Sequence, residues 1–115
     1  MHRLSQGQVV EVAITDPCGQ NKKRRPVVIL TATDELSDTE EFVVAAISTK
    51  LSDPLPPDWI PLPWSQDGRA KSGLTEPCVV KCRWLAKVTQ KDVVFVRGHL
   101  PPTIMRDIMR VVPKD

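Results

Sequence analysis

Along Gly7 to Thr15 the chain alternates, with Val10, Val12 and Ile14 set against Val9, Glu11 and Ala13; this period-two pattern predicts a strand. Asp16-Pro17-Cys18-Gly19 then supplies turn residues. The next run, Pro26 to Thr33, is almost wholly apolar and predicts a strand buried on both faces. Pro26 stands at its first residue, where a missing N–H does least harm. Polar Asp34 to Glu41 predicts a helical turn or an open loop, and Phe42 to Thr49 a third strand.

Between Lys50 and Gly73 the texture changes. Pro54, Pro56, Pro57, Pro61 and Pro63 are too dense for a central strand and predict a stiff loop with one short edge strand from Trp59 to Leu62. Pro54 and Pro57 also form a P-x-x-P pair, an SH3-ligand pattern, but a proline-stiffened surface loop suits a compact domain better. "EPCVVKCRWLAKV" and "DVVFVRGHL" predict one or two further strands. From Pro101 to Val112, Ile104, Ile108, Val111 and Val112 share a helical face opposite Arg106, Asp107 and Arg110. Proline in the first turn and Pro113 beyond the last mark start and stop. The expected fold is a mainly β, SH3-like barrel with a short C-terminal helix, since closure hides strand edges. At 115 residues, positions 1–115 are expected to form one domain.

Charge narrows the function. The net charge is only +2, so any nucleic-acid role has to come from local clustering. Lys22 to Arg25 is such a cluster, running straight into Pro26. Arg25 is held extended by the proline after it, and a guanidinium so placed can fork onto a phosphate. Lys22, Lys23 and Arg24 would form a cationic approach; the competing reading is a solvated hairpin tip. A nuclear-localisation signal ranks lower, because the run merges into a core strand. At the end of the third strand Ser48 and Thr49 offer hydroxyls, only one of which shares a strand face with Arg25. Lys81 and Arg83 share a face and would extend the cationic groove. His99 reads as a packed or surface histidine rather than a base, and His2 lies at the chain terminus.

Cys78 and Cys82 are four extended steps apart, about 13 Å, too far for a disulfide or for two ligands of one unbent zinc site. They read as buried free thiols, and no metal or other cofactor is expected. No apolar run approaches the ~18 residues of a membrane helix. "MHRLSQGQ" lacks the apolar stretch of a signal peptide, so a soluble cytoplasmic protein is expected. Without a phosphate-cradling glycine loop, nucleophile elbow or metal cluster, any enzyme here works with arginine, hydroxyl and carboxylate.

The order of parts resembles the MazF/PemK toxin family of bacterial toxin–antitoxin systems. The resemblance is carried by "GQVVEV", by "DPCG" followed by a loop closing on "RRPVVILT", and by "VVAAIST". It continues through "SGLTEPCVVKC" and "RGHLPPTIMRDIMRVV". It implies a homodimeric, metal-independent endoribonuclease that cuts single-stranded RNA, with 2′-OH attack leaving a 2′,3′-cyclic phosphate. It also implies a cognate antitoxin presenting an acidic segment to the cationic groove. The family's arginine before the proline corresponds to Arg25, and its threonine at the end of the third strand to Ser48, with Thr49 as neighbour. Lys81 matches a basic position used in some members.

Two departures stand out: the first loop, "CGQNKKR", has no acidic residue, and Arg83-Trp84 occupies the place of an acid followed by Gln. Asp16 and Glu11 are the nearest substitutes. The alternative function is a non-cleaving nucleic-acid binder or a gyrase-binding toxin like CcdB on the same fold. Trp59 and Trp64 are the candidate stacking platforms for bases, or else plugs of the barrel.

Overall fold

A computed structural model of the chain describes residues 4–113. Six strands form one antiparallel sheet: β1 (Gln8–Ile14), β2 (Lys23–Ile29), β3 (Phe42–Ser48), β4 (Trp59–Pro61), β5 (Val79–Val88) and β6 (Val93–His99). Their spatial order is β4-β5-β3-β2-β1-β6, and helix α1 (Pro102–Val111) follows. The proline-dense stretch contributes only β4, at the sheet edge where a missing N–H is tolerated.

The apolar run of β2 sits in the middle of the sheet and is buried on both sides. Val28 and Leu30 pack into one cluster with Ala45, Val80 and Cys82, whereas Val27 and Ile29 join Val10, Val12 and Val44 in the other. Alternation along a strand is what divides one continuous apolar run between two clusters. Helix α1 covers the first cluster through Met105 and Ile108. Full burial of a side chain such as Ile108 contributes about 1.5–3 kcal/mol. The predicted apolar face is present, but Met105 belongs at its centre; Val111 and Val112 at the helix end are only half-buried. No helix among the described residues is long and apolar enough to cross a membrane.

The expected barrel is not closed by a strand ladder. β4 and β6 are the two edges, and segment 62–78 bridges them instead. The segment doubles back on itself, with Leu62 N–H donating to Cys78 O and Ser65 N–H to Leu74 O, and its middle reaches β6, where His99 N–H donates to Lys71 O. The prolines explain the substitution, since a chain with Pro61 and Pro63 cannot extend β4 into a second ladder. The crossing over β6 is tight. A Cβ on Gly98 would lie 2.0 Å from Lys71 O, and one on Gly73 (φ +72) 2.3 Å from Arg97 O.

β5 is the other irregular element. Its pairing with β3 jumps from Ala45↔Leu85 to Ile47↔Val80, while β4 pairs on at Trp59↔Lys81. Such a bulge bends the strand and re-aims its side chains. Trp84 is thereby brought toward the loop between β1 and β2, where its indole N–H donates to Thr15 O at 3.2 Å.

Candidate nucleic-acid interface

The loop from β1 to β2 is folded by one carboxylate. Asp16 accepts hydrogen bonds from Cys18 N–H, Gln20 N–H and the Asn21 side-chain amide, at 2.9–3.0 Å. These bonds, with the charge of Arg25, hold its carboxyl below the ordinary range. Gly19 (φ 79) and Asn21 (φ 54) take the left-handed turns, a conformation open to glycine and tolerated by asparagine. The loop delivers Arg25 in a fixed pose. Its Nε donates to Ile14 O (3.4 Å), one terminal nitrogen donates to Asn21 O (3.1 Å), and the guanidinium lies 4.9 Å over the Trp84 ring.

β2 and β3 pair in the register Val27↔Ala46. Two residues past that pair on each strand come Arg25 and Ser48. Both line a groove of about 330 Å³, whose floor includes Pro26, Ile47 and Leu74. Ser48 Oγ accepts the Lys50 N–H at 3.1 Å, which leaves its own O–H to donate. Thr49 lines the groove as well, although alternation predicts that only one of the two hydroxyls shares a face with Arg25. β3 ends at Ser48, and the alternation rule ends with the strand.

Cations dominate the walls. Lys23, Arg24, Lys50 and Arg97 join Arg25 there, together with Glu76. Such a concentration of positive charge in a cleft selects for an anionic ligand. Glu11 orders two of these arginines: it accepts from Arg24 Nε at 2.5 Å and from an Arg97 terminal nitrogen at 2.6 Å. Arg97 also donates twice to Gly73 O, tying β6 to the bridging segment. Burial pushes the Glu11 carboxyl up, but hydrogen bonds from Arg97 and Arg24 and their charges outweigh it and hold it below its ordinary value of 4.5. Neither Glu11 nor Asp16 is therefore a free base; each is engaged in holding structure.

A depressed pKa makes the ionised Glu11 a stabiliser of the fold, fully effective above the ordinary carboxylate range and lost as pH falls through its lower folded value. Glu11→Gln should accordingly melt below the wild type at pH 7, with the gap closing on acidification. Thermal melts of both proteins from pH 7 to pH 3 measure it; a constant gap would contradict the ion-pair role.

Other predicted residues lie elsewhere. Lys22 is exposed on the loop and outside the groove lining, and Arg83 pairs with Asp58 at 3.6 Å. Lys81 sits with its ammonium 4.2 Å over Trp59 and 5.8 Å from Trp84. Arg25, Trp84, Lys81 and Trp59 thus form an alternating row of cations and rings beside the groove. Burial, then the charge of Lys50, lowers the pKa of Lys81. Trp64 is 44% exposed and His99 is exposed at the end of β6, neither in the groove lining; His2 lies outside the described residues.

Lys50, Thr75, Glu76 and Arg97 are groove residues that sequence reasoning missed. Lys50 followed directly on Ser48-Thr49 and was within reach of the same argument. Thr75, Glu76 and Arg97 arrive with the bridging segment and β6, whose meeting no local pattern signals. Cys78 and Cys82 are buried free thiols. Burial, helped by the charge of Glu76, pushes Cys78 up to about 11, and burial with Asp58 does the same for Cys82. Among the described residues, no group of three or more His, Cys, Asp or Glu is placed to hold a metal ion.

A family model described as PemK-like, MazF-like toxin of type II toxin–antitoxin system matches residues 5–114. Among solved structures, MazF from Deinococcus radiodurans superposes with a TM-score of 0.75 at 15% identity, covering 97% of this chain and 94% of that one. An endoribonuclease from a mycobacterial species superposes at 0.72 and 16% identity, covering 97% and 89%. A mycobacterial endoribonuclease in complex with its cognate antitoxin superposes at 0.69 and 17% identity, covering 95% and 90%. No curated protein sequence matches. At these identities the superpositions speak for the fold.

Proposed function

The chain belongs to the PemK-like, MazF-like toxins of type II toxin–antitoxin systems, and on that premise we propose that it is an endoribonuclease acting on single-stranded RNA. The observation that carries this reading is Arg25 and Ser48 lining one groove together with four further cations. A phosphodiester in that groove meets the planar fork of Arg25 at its non-bridging oxygens and the Ser48 O–H beside it. Attack by the neighbouring 2′-OH builds charge on those oxygens, and fixed donors aimed at developing charge lower the barrier. Thr49 is a second hydroxyl at the same strand end. Lys22, Lys23, Arg24 and Arg83 draw the RNA backbone in, and the row Trp84, Lys81, Trp59 offers ring faces for flanking bases.

The same positive groove suits an acidic antitoxin segment, which would inhibit by occupying the RNA site. The family resemblance further implies a toxin that acts as a homodimer. Non-cleaving RNA binding is the second reading, favoured by the engagement of both Glu11 and Asp16 in structural bonds. One experiment separates the two: purified protein is incubated with a defined RNA in EDTA, and product ends are mapped. Discrete cuts ending in 2′,3′-cyclic phosphate are expected. RNA retarded on a gel but left whole under protein excess would leave only binding.

A further inference from the structure

The attack step requires something to take the 2′-OH proton, and the groove narrows the choice. Arginine cannot be deprotonated in a protein, and serine or threonine hydroxyls hold their protons far too tightly. Cys78 is buried and, as a thiol pushed up to about 11, holds a proton rather than accepting one. Glu76 is the one carboxylate among the described residues lining the groove. It is exposed, and it has no hydrogen-bond or ion-pair partner among the described residues. Glu11 and Asp16, by contrast, have every role already taken by arginines and loop amides.

Glu76 is also well positioned. Two residues to either side, Leu74 and Cys78 are buried, and their carbonyls accept N–H bonds from Ser65 and Leu62. Pro77 restricts the backbone of Glu76 to extended conformations. The side chain is therefore exposed on a tethered backbone. Ser48 pairs with Val79 at the start of β5, so the segment carrying Glu76 runs along one side of Ser48 while β2, with Arg25, runs along the other. A phosphate resting over Ser48 would have the cation on one flank and the carboxylate on the opposite one.

We propose that Glu76 is the general base of this site; the assignment rests on the ribonuclease reading above. The 2′-O–H bond breaks and its proton passes to the Glu76 carboxylate as the 2′-oxygen bonds to phosphorus. The bond from phosphorus to the 5′-oxygen breaks with its electron pair on that oxygen, which takes a proton from water. The proton held by Glu76 then returns to the hydroxide so formed. No oxidant, metal or second substrate enters the balance.

The test compares wild type, Glu76→Gln and Glu76→Asp under single-turnover conditions. Two substrates are used: a defined RNA, and the same RNA with sulfur in place of the leaving 5′-oxygen. Glu76→Gln should retain RNA binding by gel retardation and lose about 10²–10⁴-fold in cleavage rate, the usual worth of a general base. The loss should persist on the sulfur substrate, whose leaving group needs no proton, and Glu76→Asp should recover part of the rate. Equal cleavage by Glu76→Gln and wild type would overturn the assignment while the ribonuclease stands. A loss that vanishes on the sulfur substrate would also overturn it, because the residue would then be serving the leaving group. If wild type itself leaves both RNAs whole, the ribonuclease reading falls and takes this one with it. Matched melting curves exclude misfolding as the cause, and the exposed, unbonded side chain makes such matching the expectation.

Discussion

Arg25→Ala should slow RNA cleavage by about 10³-fold while leaving much of the RNA affinity in place. The groove keeps Lys23, Arg24, Lys50 and Arg97 after the substitution, so the non-specific attraction to a phosphate backbone is only reduced. What disappears is the one planar donor fork held rigidly by Ile14 O, Asn21 O and the Trp84 ring. Removing one fixed donor to developing negative charge typically costs about 10²–10³-fold in rate. The loss should be at the upper end here, since Arg25 supplies charge as well as hydrogen bonds. Arg25→Lys should recover little: a lysine ammonium cannot make the paired contacts or lie flat over indole in the same way. Single-turnover rates at saturating protein measure this, with gel retardation reporting affinity separately. An alanine variant cutting within tenfold of wild type would remove Arg25 from the reaction. A variant that lost binding and cleavage together would make it a docking residue.

The sequence carried more of the fold than of the site. Period-two alternation in β1 and the unbroken apolar run of β2 were local signals, because the partners that bury them need only be apolar. Arg25 was legible for a similar reason: Pro26 fixes its backbone and the preceding cations advertise the loop. The trio Glu11, Arg24 and Arg97 was not, because a strand residue learns which arginines flank it only when β1 pairs with β2 on one side and β6 on the other. Glu76 was hidden in a stretch that reads as an approach to β5. Its place in the groove depends on a segment that crosses the molecule, and no spacing rule encodes such a crossing. Trp84 shows the same limit, since a bulge in β5, rather than its sequence position, turns it toward Arg25.

Gly98→Ala tests that crossing directly. Gly98 lies in β6 outside the left-handed region, so an alanine there meets no backbone penalty of its own. Its methyl group would nevertheless fall 2.0 Å from Lys71 O and 2.7 Å from the carbonyl carbon of Ser72. Both contacts are backbone, which cannot rotate away as a side chain does. Overpacking of this kind costs about 1–3 kcal/mol. For a domain near this size, each kcal/mol lowers the melting temperature by roughly 4–8 °C. The segment can relieve the clash only by lifting from β6, which breaks the bond from His99 N–H to Lys71 O and loosens Gly73 from Arg97. Lifting would displace Glu76 as well, so cleavage should slow even at temperatures where the variant is fully folded. Gly19→Ala provides the contrast: it has φ +79 but nothing within 4 Å of the added carbon. Its cost is the left-handed strain alone, about 1–2 kcal/mol, and its site lies on the first loop rather than the bridge. If the bridge positions the site, Gly98→Ala should lose rate out of proportion to its loss of stability. A Gly98→Ala protein that melts with wild type and cuts at its rate would show that segment 62–78 accommodates the methyl group, and that its contact with β6 does not hold the groove together.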